Sequence, residues 1–111
     1  MAPQAIFHYE VEESEDEHHL PVTTIKCHGK MLRDNGAKIK QLIKPLIEAG
    51  GRRIIVDLTD LESLDSSGLG ALVGLKVSAV NKGLCRLDIV NLSPRVSELL
   101  RITNLTELFS S

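Results

Sequence analysis

The chain has 111 residues, 42% hydrophobic and 25% charged, with a formal net charge of −2, which predicts one domain over residues 1–111, able to bury roughly two-thirds of its unfolded surface. No apolar run approaches the ~18 residues of a membrane span, and Met1 to Tyr9 lack the basic start and apolar stretch of a secretory signal, so a cytoplasmic protein is expected. Phe7, Tyr9 and Phe109 are too far apart to make a stacking platform, and the bases are scattered, which argues against nucleic-acid binding.

Ile6 to Val11 and Pro21 to His28 are β-prone runs that predict an antiparallel hairpin. Between them, Glu10, Glu12, Glu13, Glu15, Asp16 and Glu17 hold six of the fifteen acids, and this acidic run is expected to form the solvated tip of the hairpin. His18 and His19 read as surface histidines, because the nearest histidine that could join them, His28, lies in another strand, so no metal site is expected. Cys27 and Cys85 stand 58 positions apart in strand-like segments and read as buried free thiols. After Gly29, Ile39, Leu42, Ile43, Leu46 and Ile47 recur at helical spacing until Gly50-Gly51, with Pro45 predicting a kink near Gln41.

Arg53 to Leu58 is an unbroken β-branched and apolar run, as expected of a central strand covered on both faces. A second helix is predicted from the stripe Leu69, Leu72, Val73, Val77 and Val80, ending at Asn81-Lys82-Gly83. Leu84 to Val90 returns to strand character, so strand, helix and strand form a parallel βαβ unit. Ser93-Pro94 signals the N-cap of a third helix with Val96, Leu99 and Leu100 on its apolar face, and Leu105, Leu108 and Phe109 are expected to tuck against the core.

Between the central strand and the second helix lies Asp65-Ser66-Ser67-Gly68-Leu69-Gly70. It places two hydroxyls at a helix start, where free backbone N–H groups and the helix dipole favour an anion such as a phosphate. With Ser66 as N-cap, Ser67 falls at the first helical position with its hydroxyl facing out. Gly70 and Gly74 are expected to let the helix approach the sheet, and Gly68 to leave the serines uncovered. The spacing of Gly68, Gly70 and Gly74, with Asp88 beyond, also resembles a loosened dinucleotide fingerprint. Against it, seven or more residues separate the strand end near Leu58 from Gly68, whereas the fingerprint needs a tight turn straight off the strand. A serine nucleophile lacks a base, because all four histidines precede residue 30. No enzymatic activity and no cofactor are expected.

Val56-Asp57-Leu58, then Leu64 through Gly70, then Thr103-Asn104-Leu105 and Phe109 resemble the STAS domain of bacterial anti-sigma-factor antagonists, from about Val22 onward. The resemblance implies an α/β fold, a single STAS-like domain with a mixed four- to five-stranded sheet and helices packed mainly on one face. It implies phosphorylation of Ser67, with Ser66 the alternative, and a partner-binding surface of Asp65, Ser66, Ser67, Gly68, Leu69 and Gly70. The implied partners are an anti-sigma factor with serine-kinase activity and a PP2C-type phosphatase. The unphosphorylated form would bind the anti-sigma factor and free the sigma factor, and phosphorylation would abolish binding. Gly29-Lys30-Met31-Leu32-Arg33-Asp34 departs from the family pattern by carrying bases where acids are usual. The alternative function is a STAS-like docking subunit of a sensory or transport complex. The sequence leaves the oligomeric state open.

Overall fold

The computed structural model describes residues 6–106. Strands β1 (His8–Glu15), β2 (Pro21–Met31), β3 (Arg53–Leu64) and β4 (Arg86–Val90) form a sheet in the order β1-β2-β3-β4. β1 runs antiparallel to β2, while β2 with β3 and β3 with β4 are parallel. Helices α1 (Asn35–Ala49) and α2 (Ser66–Lys82) make the two parallel connections, and α3 (Pro94–Ile102) follows β4. This is the expected mixed α/β architecture, with four strands among the described residues.

Alternation along the strands sends Ile25, Cys27, Ile54, Val56, Leu87 and Ile89 to one face, where they meet Ile39, Ile43 and Ile47 of α1, Leu72 and Leu75 of α2, and Val96 and Leu100 of α3. All three helices therefore share one apolar layer. The opposite face presents the intervening side chains and is held by charge. The Arg53 guanidinium lies 2.9 Å from the Asp88 carboxylate, Arg86 3.0 Å from it, and Lys26 3.2 Å from Glu12.

The hairpin extends differently from the prediction. Glu10, Glu12, Glu13 and Glu15 are strand residues of the exposed edge strand β1, and only Asp16 and Glu17 reach the turn. The acid-rich composition lowers the apparent β-propensity, yet an edge strand tolerates charge on both faces. α1 starts four residues before Ile39 and continues through Pro45 as one helix to Ala49. β3 runs to Leu64, six residues beyond the predicted end, because register shifts in its pairing with β2 change the spacing of its buried residues from Ile54, Val56, Leu58 to Leu61 and Leu64. The supposed gap before the second helix therefore does not exist.

The apolar stripe of α2 is also rotated from its predicted position. Gly68, Ala71, Leu72, Leu75, Lys76 and Ala79 are buried, whereas Val77 and Val80 are 39% and 62% exposed. Lys76 is buried because its ammonium donates a hydrogen bond of 2.6 Å to the Leu87 carbonyl of β4. α3 starts as predicted: the Ser93 hydroxyl accepts from the Val96 N–H at 3.2 Å, with Pro94 at the first turn. It ends where Asn104 takes a left-handed conformation (φ 58°) and the Leu105 N–H returns to the Leu100 carbonyl at 2.8 Å, leaving Leu105 packed on the core. Leu108 and Phe109 lie outside the described residues. Cys27 is buried and Cys85 half-buried, both free thiols.

Candidate functional site

A single residue, Asp65, links β3 to α2. Its backbone is extended (φ −95°, ψ −174°), and its Oδ1 accepts from the Gly68 N–H at 2.9 Å, so Asp65 and not Ser66 is the N-cap. Ser66 and Ser67 are the first two helical residues, each one position further into the helix than predicted. Asp is as good a cap as Ser, and position alone does not separate them in sequence.

The other oxygen of Asp65 has a second task. Oδ2 accepts from the Arg33 N–H at 2.9 Å, and the Asp65 N–H donates to the Met31 carbonyl at 3.2 Å. One side chain thereby pins the loop between β2 and α1 to the start of α2. Backbone donation from Arg33 and Gly68 holds the Asp65 carboxyl below the usual carboxylate range. The carboxylate is thus anionic at neutral pH, beside the two serine hydroxyls.

Gly68 packs inward. A Cβ there would stand 2.7 Å from the Met31 carbonyl oxygen, so only glycine lets α2 start so close to β2. Gly36 does the same for α1, where a Cβ would meet Ala71 Cβ at 2.7 Å and the Ser67 carbonyl at 3.3 Å. Gly70 and Gly74, expected to serve the sheet, do not: a Cβ on Gly70 would have nothing within 4 Å, and one on Gly74 would meet only the Lys40 ammonium at 3.7 Å.

Both serines are exposed, and they face different ground. Asp65, Ser66 and Leu69 line a groove of about 530 Å³ between α2 and α3, together with Arg95, Leu99 and Thr103. Ser67 is outside that groove, on the side of α2 that meets α1, with exposed Gly70 one turn further on. The hexapeptide is therefore divided: one glycine under the helix, Ser66 and Leu69 toward α3, Ser67 and Gly70 toward α1. Arg33, Lys40 and Arg95, which border these surfaces, were not visible as site residues in the sequence. They converge from separate elements and have no local spacing signature.

Asp57, in the first half of β3, braces the same end of the molecule. Its Oδ1 accepts from the Thr59 hydroxyl at 2.6 Å, the Thr59 N–H at 2.9 Å and the Asn91 side-chain amide at 2.9 Å. Burial raises its pKa, but hydrogen bonds from Asn91 and Thr59 outweigh this and leave the carboxyl below its ordinary value. Asp88, the candidate ribose-binding acid, is instead clamped between Arg53 and Arg86, so the dinucleotide reading loses its acidic partner. Among the described residues, no group of three or more His, Cys, Asp or Glu side chains is placed to hold a metal ion. None of the described helices is long and apolar enough to cross a membrane.

Comparison with known proteins gives a consistent result. The family model described as STAS domain matches residues 13–111. The anti-sigma-B factor antagonist of Staphylococcus aureus is 34% identical over 84 residues, which are 76% of this chain and 77% of that protein. Among solved structures, the Bacillus cell fate determinant SpoIIAA in its phosphorylated form superposes with a TM-score of 0.70 at 20% identity, over 91% of this chain and 87% of that one. An anti-sigma factor antagonist from Mycobacterium paratuberculosis gives a TM-score of 0.73 at 19% identity, over 99% and 88% of the two chains.

Proposed function

The chain belongs to the STAS domain family, and we propose that it is an anti-sigma-factor antagonist, a regulatory binding protein and not a catalyst. In this reading its unphosphorylated form binds an anti-sigma factor with serine-kinase activity and so frees the sigma factor. Phosphorylation of Ser67 ends the interaction, and a PP2C-type phosphatase restores it. The similarity to the Staphylococcus aureus antagonist supports the class of function. The observation that carries the mechanism is the exposed Ser67 hydroxyl in the first turn of a helix whose cap is already supplied by Asp65.

Because Asp65 caps the helix, Ser67 is free of that duty and its modification need not disturb α2. A phosphate adds about −1.5 to −2 charges beside the helix N-terminus, which tolerates an anion. In a complex the same group must be desolvated against packed partner atoms, and about 2.8 kcal/mol of penalty weakens binding a hundredfold. The nearby Asp65 carboxylate adds like-charge repulsion.

Ser67→Ala is expected to bind the anti-sigma factor like the wild type and to resist inactivation by ATP. Ser67→Asp is expected to bind about a hundredfold more weakly, as read by calorimetry. Mass spectrometry after incubation with the cognate kinase should place phosphate on Ser67, and phosphate confined to Ser66 would overturn the assignment. Absence of any phosphoserine together with stable incorporation in a larger assembly would favour a permanent docking subunit instead.

A further inference from the structure

Acids and bases are segregated on this chain. Residues 10–17 hold six acids and no base, which leaves thirteen bases against nine acids elsewhere. Lys26, Arg53, Arg86 and Arg101 are in ion pairs. Six exposed bases, Arg33, Lys38, Lys40, Lys44, Lys82 and Arg95, make no ion pair among the described residues. Three of them, Arg33, Lys40 and Lys44, gather at α1 and its entrance and call for a reason.

Their position supplies it. Ala37, Lys40 and Lys44 follow at helical spacing on the exposed side of α1, and Lys40 reaches to 3.7 Å from the site of a Gly74 Cβ. Arg33, at the entrance to α1, is tied through its N–H to Asp65, and Gly36 packs against the Ser67 carbonyl. Arg33 and Lys40 therefore border the strip formed by Ser67, Gly70 and Gly74, and Lys44 extends the row of cations one helical turn beyond Lys40. That strip offers no large side chain to bury, and Gly70 has no internal contact to justify a glycine that costs up to ~1 kcal/mol in a helix. A surface of this kind binds through close backbone approach at its centre and charge at its rim.

We infer that the α1–α2 ridge receives an acidic surface of the anti-sigma factor, with Arg33, Lys40 and Lys44 setting its charge specificity. The inference rests on the antagonist reading and adds the chemistry of the partner. It also adds a second action of the phosphate. A group of about −1.5 to −2 charges on Ser67 offsets half to two-thirds of the charge of these three cations, so the modified ridge attracts an acidic partner less. Charge of this kind acts mainly on association rate and partner choice.

The test measures association of the unphosphorylated chain with its cognate anti-sigma factor at about 50 mM and about 500 mM salt. The wild-type rate is expected to fall at least about tenfold between them. Lys40→Glu/Lys44→Glu should lower the low-salt rate by at least about tenfold and flatten the salt dependence, while Lys40→Arg/Lys44→Arg keeps both. Lys82→Glu, at the far end of α2, should match the wild type, and melting curves confirm that every variant is folded. A double reversal with the wild-type rate and salt slope overturns the inference and leaves the antagonist reading standing. So does a ridge used for self-association, seen as a concentration-dependent dimer that Lys40→Glu/Lys44→Glu abolishes. If the wild type forms no complex with any anti-sigma factor, the antagonist reading fails and the inference falls with it.

Discussion

Gly68 and Gly70 stand two positions apart and have opposite reasons to be glycine. A Cβ on Gly68 would collide with the Met31 backbone carbonyl, which cannot swing away as a side chain would. Gly68→Ala is expected to destabilise the protein by about 1–3 kcal/mol in urea unfolding. Gly70→Ala meets nothing and removes backbone freedom from the unfolded chain, so it should raise stability by up to ~1 kcal/mol while weakening the anti-sigma complex. A stabilised Gly68→Ala would refute the close contact, and a Gly70→Ala that binds normally would refute close partner approach. The sequence showed that glycines crowd the start of α2, but not which served the interior, because that depends on the position of Met31 across the sheet. The cap was misplaced by one residue for a related reason: the Asp65 carboxylate is identified by its reach to Gly68 and Arg33, and Arg33 is 32 positions away.

β3 and α2 set the geometry of the site, and their boundaries were the least legible. β3 loses its period-two pattern halfway along, so Thr59 to Leu64 reads as loop although it pairs with β2 up to Met31. In α2, Lys76 sits on the buried face, and a lysine among Leu72, Leu75 and Ala79 shifts the apparent apolar stripe to Val77 and Val80. The hexapeptide itself, the βαβ connection and the Ser93 cap were legible because each is local. Asp57 joins β3 to the loop that enters α3, and its role depends on pH. Its folded pKa lies below the unfolded value of about 3.9, so its stabilisation is complete above that value and is lost as pH falls through the folded one. Asp57→Asn should be less stable than wild type at neutral pH, and the difference should close as pH falls below about 4 in urea titrations. A gap that does not narrow at all as pH falls below about 4 would assign the effect to packing instead of charge.

For the assembled fold, the two thiols report on integrity. Cys27 lies in the common core, where burial pushes its thiol up to about 12, whereas Cys85 is half-buried near the end of α2 and is raised less. A thiol-specific reagent at neutral pH should label Cys85 slowly in the native protein and Cys27 only after unfolding, as counted by mass spectrometry. Equal native reactivity would show that the sheet and helices separate easily. The family resemblance foretold this α/β architecture because it rests on contiguous motifs. The meeting of Arg33 and Lys40 with the Ser67 side of α2 escaped it, since these two residues border that side only once α1 and α2 pack.

The outer strand has a consequence of its own. Among the described residues, β1 has no neighbour on one side of its backbone in the sheet, the usual starting point for stacking into fibrils. Any second copy approaching that rim would have to lay glutamates against glutamates, because Glu10, Glu12, Glu13 and Glu15 decorate it from end to end. Their mutual repulsion opposes that stacking, so the crowding of acids that looks wasteful for folding works against edge-to-edge pairing of copies.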